Sequence, residues 1–269
     1  MGNNPNSMKT LVSFAQYKIL LVIAFLLVGA VSSFADWIAG KDLKANELPD
    51  GNGVEQIDPN LTVPEWSYGY RSSLTGTSLS LFTSADHTNA NDGNSSMQGF
   101  DSGNATPKVV VNTGASDVVF DFGFGNLNPI HPEEMDLHPG PNNEFSIVRW
   151  VAPATGSYLI SAYWTDLDPL GTQFAGVNGA TGAITLNGSI LFDVDFANNS
   201  GTSTSFTQTL NAGDIVDFLT GSQGDYRFDD TGFDATISAV PEPATASSLV
   251  VGTILVGTSF YFRRRQRNR

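Results

Sequence analysis

The chain of 269 residues carries 27 acidic and 13 basic side chains, no cysteine, and a hydrophobic fraction of 41%. That length supports one good-sized domain or two small ones, and the apolar fraction excludes a disordered chain. Without cysteine there is no disulfide framework, no thiol nucleophile and no cysteine-built zinc site, and three histidines (His87, His131, His138) argue against a multi-histidine metal centre.

Charge is unevenly distributed along the chain. All the acids lie at or beyond Asp36, and 26 of the 27, against six of the bases, fall between residues 36 and 240. Such a body repels nucleic acid and anionic lipid, so no nucleic-acid partner is expected. Ahead of it, Lys9 and Lys18 lead into an uncharged apolar run, 19–31. Ser33-Phe34-Ala35 then places small residues where a signal peptidase reads them. Residues 1–35 therefore read as a signal helix cleaved before Asp36.

Residues 36–65 are polar and turn-rich and read as a lead-in. The body, 66–239, reads as strands. Candidate strands occupy 66–70, 78–83, 108–111 and 117–122, with a long polar loop at 86–104 and a second loop at 123–143. Beyond it come Phe145–Val151, then 157–164, 183–186, 190–195, 203–210, 214–219 and 233–240. Alternation puts Val148 and Trp150 inward and Arg149 outward. Asn187-Gly188 is a type I′ hairpin signal. No long helical period appears in the body. Many short strands separated by turns predict an all-β, antiparallel β-sandwich of jelly-roll type.

The tail, 240–269, has three parts in order. Val240-Pro241-Glu242-Pro243 comes first. Residues 244–262 follow without a charge, long enough as a helix to span about 28 Å, close to the hydrocarbon thickness of a bilayer. Arg263, Arg264, Arg265, Arg267 and Arg269 end the chain and would hold that end in the cytoplasm. The body would then lie outside.

This tripartite tail resembles the PEP-CTERM sorting signal. The resemblance implies a C-terminal transmembrane helix that anchors the chain in the inner membrane until an exosortase-like membrane protease acts near the motif. The product would reach the cell surface or the extracellular space. The resemblance covers about residues 240–269 and implies nothing about the fold of the body. Separately, 138–240 resembles jelly-roll modules of secreted proteins, through His138-Pro139-Gly140, Val148-Arg149-Trp150, Ala152-Pro153, Gly156, Tyr158 and Ala212-Gly213-Asp214. Some such modules bind carbohydrate.

Chemistry-bearing residues are mostly acidic. Asp166/Asp168 follow a strand and could offer oxygen ligands to Ca²⁺, as could the run from Asp225 to Asp234, with Asp229 and Asp230 the pair to test. Asp193/Asp195 and Asp214/Asp217 are further pairs, and Asp214 reads as a turn residue. His131 and His138 bracket Glu133, Glu134 and Asp136 at a spacing that fits no metal motif. Tyr163, Trp164 and Tyr226 are candidates for stacking on sugar rings, while Trp150 and Phe192 read as core. No nucleophile elbow or phosphate loop occurs. The expectation is a non-catalytic surface or extracellular-matrix protein, with signal peptidase, the membrane protease and an extracellular polysaccharide as partners. The alternative is a secreted glycoside hydrolase using paired carboxylates.

Overall fold

A computed structural model describes residues 36–43, 66–83, 86–88, 90–102, 106–120, 128–168 and 177–241. The signal segment 1–35, Glu242, Pro243, the apolar span 244–262 and the terminal arginines lie outside the described residues. Among the described residues, no helix is long and apolar enough to cross a membrane.

The strands are β1 (Asp36–Ile38), β2 (Ser67–Arg71), β3 (Ser80–Leu81), β4 (His87–Thr88), β5 (Met97–Asp101), β6 (Lys108–Asn112), β7 (Met135–His138), β8 (Phe145–Val151), β9 (Gly156–Asp166), β10 (Ala180–Leu186), β11 (Ser189–Phe196), β12 (Gly201–Leu210), β13 (Ile215–Ser222) and β14 (Thr231–Val240). One short helix, α1 (Ala39–Asp42), follows β1. The strands form two antiparallel sheets. One runs β12-β9-β14-β7-β6-β5-β4, with β1 also on β14; the other runs β11-β10-β13-β8-β2-β3. From β7 to β14 the chain crosses between sheets at every connection except the β10–β11 hairpin, which is the winding of a jelly roll. That hairpin turns on Asn187 (φ 50°) and Gly188 (φ 78°), the two positive φ values a type I′ turn requires.

The core fills the space between the sheets. Along β9, Tyr158, Ile160, Ala162 and Trp164 point in while Leu159 and Tyr163 point out. Val148 and Trp150 point in from β8, as alternation predicts. Trp37 from β1 meets Trp150 edge-on at 5.2 Å, and Trp150 meets Tyr158 at 5.3 Å.

Both outer faces are partly roofed, which departs from a simple inside-and-outside pattern. Ile147 is on the outer face of its sheet yet fully buried, clustered with Ala183 and Leu219 under Leu74 and Leu79. On the other sheet Met97, Val110, Val118, Phe120, Ile130 and Leu167 form a second cluster. Of the strand expected at 117–122, residues 117–120 are described and hold a single bridge, Val118 with Ile130, where Val118 and Phe120 pack into this cluster. Three strands occupy segments that read as loops: β4 and β5 within 86–104 and β7 within 123–143.

The segment read as a lead-in contributes to the sandwich. β1 pairs with β14 through Asp36 opposite Ser238, and Ile38 opposite Thr236. Asp42 accepts the Ile38 N–H at 3.0 Å and the Trp66 indole N–H at 2.9 Å. Asp234 of β14 accepts the Gly40 N–H at 3.1 Å and its neighbour Ala235 N–H at 2.8 Å.

Burial pushes the Asp234 carboxyl up to about 6 against those two donors, with Glu134 and Asp42 adding repulsion. A carboxyl that holds its proton more tightly when folded favours folding fully below its unfolded value of 3.8, and loses that contribution as pH rises through 6. Asp234→Asn keeps the acceptor and never ionises. Its urea midpoint is expected to match wild type near pH 4 and to exceed it at pH 8, by about 1–2 kcal/mol in stability.

Candidate functional site: a buried carboxylate cluster

β6 and β7 run side by side with Lys108 opposite His138 and Val110 opposite Asp136. Their outward side chains do not reach solvent. Lys108 is 3% exposed, Asp136 0% and His138 7%. The Lys108 ammonium lies 2.8 Å from Asp136 Oδ2, 2.5 Å from Asp230 Oδ1 and 3.9 Å from Asp92 Oδ2. One buried cation therefore serves two buried carboxylates. Burial works against the lysine charge, but Asp136 and Asp230 outweigh it and hold Lys108 above its ordinary range. Burial likewise opposes ionisation of Asp230, yet Lys108 prevails and holds it at about 2. Asp136 goes the other way: burial pushes it to about 8 despite Lys108. His138 donates from Nδ1 to the Pro139 carbonyl at 2.7 Å, and burial lowers its pKa, so it is a neutral ring in this setting.

The two acidic segments separated in sequence, 166–168 and 225–234, meet here. The Leu167 N–H donates to the Asp230 carbonyl at 2.8 Å, and the Asp230 N–H reaches Asp168 Oδ2 at 3.3 Å. Asp168 N–H in turn donates to Asp166 Oδ1 at 2.9 Å, and the Asn199 N–H caps the other oxygen of Asp166. Burial, then the Asp230 charge, pushes Asp168 up to about 8.

Asp229 and Asp230 are adjacent but differently placed. Asp230 is committed to Lys108. Asp229 is 1% exposed, and both its carboxylate oxygens are buried without a hydrogen-bond partner among the described residues. Burial pushes it up to about 9, and the charges acting on it are all carboxylates: Asp166, Asp225, Asp230 and Asp168.

The stacking candidates do not converge. Trp164 is 1% exposed, stacked on Phe192 at 5.9 Å and tilted on Phe233 at 5.4 Å, with Gly182 beneath it. A Cβ on Gly182 would lie 2.8 Å from the indole, so the ring faces are filled and Trp164 is a core residue, not a sugar platform. Its strand neighbour Tyr163 necessarily points the other way, 37% exposed on the outer face, with its hydroxyl donating to Glu134 Oε1 at 3.1 Å. Tyr226 is half-buried, edge-on to His138 at 6.1 Å.

Other acidic pairs are also split. Asp214 accepts the Asn211 N–H at 2.7 Å in its turn, while Asp217, three residues on, is fully buried between two arginines. Asp193 and Asp195 lie exposed on β11, where Asp195 accepts from Thr181 Oγ1. Exposed His131 pairs with Asp117 at 3.0 Å, far in environment from buried His138. Val240 ends β14 and Pro241 follows it, exposed.

No protein-family model matches this chain, and no curated protein matches it in sequence. Among solved structures, it is similar to rabbit GITRL (TM-score 0.27, 16% identity, covering 36% of this chain and 74% of that one). It is similar to a carbohydrate-binding module of Clostridium perfringens in complex with methyl-galactose (0.30, 10%, 46% and 80%). A family 35 carbohydrate-binding module of Clostridium thermocellum is a third (0.25, 18%, 47% and 100%). At these values none of them bears on what this chain binds. The class of protein defined by the chain itself is a two-sheet antiparallel β-sandwich with a buried, acid-rich end.

Proposed function

We propose that this chain is an exported, non-catalytic β-sandwich protein of the cell surface or extracellular matrix, sorted by its C-terminal tail and binding polysaccharide. The observation that carries the reading is the placement of the fold's two ends. Asp36, the residue after the expected signal-peptidase cut and the first described, already lies in a strand, β1. β14 ends at Val240, the first residue of the sorting motif. Both strands lie side by side in one sheet, Asp36 opposite Ser238. Every described strand lies within 36–240, so removal of both flanking segments would leave all of them in place. On this reading the chain divides into the signal 1–35, a folded body, and the tail 240–269, with the membrane helix at 244–262.

Polysaccharide binding would use the outer face of the β12-β9-β14 sheet. There Tyr163 and Leu159 stand exposed beside the hydroxyl-rich edge of β12, and Ser161 and Ser205 hydrogen-bond across the strands at 2.8 Å. A half-exposed aromatic ring among hydroxyl groups suits the apolar face and the polar rim of a sugar.

Two measurements test this. The mature protein from a host with an active exosortase-like protease should have lost the mass of the tail, and from a host lacking that protease should keep it. An unchanged mass in both hosts would sink the sorting claim. On a glycan array the mature protein should bind without turnover, and Tyr163→Ala should lose at least tenfold in affinity. Hydrolysis abolished by a single carboxylate substitution would replace this reading with an enzyme.

A further inference from the structure

The two sheets end on β12, β4, β11 and β3, and three of these edges are closed to further pairing. β3 and β4 have two residues each. β11 carries Asp193 and Asp195 exposed, and its pairing with β10 shifts register between Ile184 and Thr185. Shortness, charge and irregularity are the ordinary ways of keeping an edge from acquiring another strand. β12 has none of them. Its ten residues, GTSTSFTQTL, include no charge and no proline, and all ten pair with β9 without a break in register. Along its other side, no strand pairs with it among the described residues. A long, regular, uncharged edge offers its unpaired N–H and C=O groups to another strand.

We infer that β12 pairs antiparallel with β12 of a second copy of this chain, joining two sandwiches through one continuous sheet about a two-fold axis. Charge selects the partner. Residues 36–240 hold 26 acids against six bases, so two copies repel over most of their surface. The outward side chains of β12, from Ser203 to Thr209, and those of β9 beside it, from Ser157 to Thr165, carry no charge. Two copies can therefore approach along this strip without setting like charges opposite each other. A strand laid antiparallel on its own copy must place residues of the same face in opposition. Phe206 on the axis satisfies this, and Ser205 then faces the partner's Thr207. Phe206 is only half-buried, packed against the core from one side. The added strand covers it from the other, which removes more apolar surface from water. The same patch serves on both copies, as a two-fold contact requires. The inference does not depend on export, sorting or sugar binding, and the face that carries Tyr163 stays open.

The test is sedimentation equilibrium of the full chain in a density-matched detergent, at concentrations up to about 10⁻⁴ M. The protein mass should rise from one chain to two. Ser205→Asp combined with Thr207→Asp sets carboxylates opposite carboxylates across the contact, at positions exposed in the single copy. It should weaken the dimer about tenfold or more while circular dichroism shows the strands retained. Leu191→Asp adds charge to exposed β11 and should leave the dimer intact. The register is read through introduced thiols, since the chain has no cysteine. A mixture of Ser205→Cys chains with Thr207→Cys chains should give a disulfide-linked dimer under mild oxidation, and either chain alone should give little. A single-chain mass at every concentration overturns the inference. So does a dimer that survives the paired aspartates, which would place the contact in the apolar segment 244–262 or at another edge. A thiol mixture that links no better than its components also overturns it.

Discussion

Replacing Asp217 by alanine is expected to cost about 3–5 kcal/mol of folding free energy. Asp217 sits on β13, directly opposite Arg149 of β8 and Thr185 of β10, on the outer face of its sheet. It is 0% exposed. Arg149 grips it with Nε at 2.6 Å and Nη2 at 2.9 Å, and Arg71 reaches it with Nη1 at 2.5 Å. Both guanidinium groups also hold the strap that roofs this face: Arg71 donates to the carbonyls of Ser73 and Leu74, Arg149 to that of Thr77. Removing the anion leaves two cations facing each other beneath the strap without their counter-charge. The strap should loosen and Leu74 and Leu79 should leave Ile147. Urea unfolding reads the energy, and limited proteolysis should find new cleavage within 72–79. A triple variant, Asp217→Leu with Arg71→Met and Arg149→Met, should regain much of the loss, because an apolar replacement removes the uncompensated charge. If Asp217→Ala unfolds within about 1 kcal/mol of wild type, the network is solvated and this account is wrong.

The same face shows how far the sequence could be read. From β8 onward the strands were legible because each is long, alternates, and ends in a turn with its own chemistry. Phe145–Val151 appears with the bounds read from its residues, and Asn187-Gly188 makes the expected hairpin. The pattern names one buried face per strand, however. It could not show that Ile147 would be covered by a segment some seventy residues earlier. β5 and β7 were illegible for a related reason. Met97–Asp101 has two large apolar residues around a glycine, and Met135–His138 alternates apolar with Asp136 and His138. Alternation says that polar residues face water. Here they face a buried ionic cluster whose partners are Lys108 of β6 and Asp230, the residue just before β14.

The candidate site was half legible for similar reasons. Asp166/Asp168 and Asp229/Asp230 stand out as acids in sequence, but only the pairing of β14 with β7 and β9 brings the two groups together. Lys108 had no signal of its own, being one of a few scattered bases. Trp164 and Tyr163 were indistinguishable as aromatics until the parity of β9 sent one into the core and the other to the surface.

Lys108→Met provides the complementary large effect. The substitution keeps the length and apolar stem of the side chain while deleting the charge, so the fold should survive with Asp136 and Asp230 facing each other across a dry gap. The expected loss at pH 8 is about 3–5 kcal/mol. Its pH dependence follows from the sign of the shifts. With the ammonium present, Asp230 sits at about 2, below its unfolded value, and its contribution is lost only as pH falls toward 2. Without the ammonium, burial and repulsion raise Asp230 above its unfolded value too, as burial already does for Asp136. The penalty then vanishes at low pH, where both are protonated in either state, and grows as pH rises through the folded values. Wild type keeps the Asp230 contribution until pH falls toward 2, so the two should converge only near pH 2, differ already at pH 4 and diverge further toward pH 8. Urea midpoints across that range read the difference directly. A gap independent of pH would mean that the introduced thioether side chain merely packs badly, and that Asp136 and Asp230 find other counter-charges.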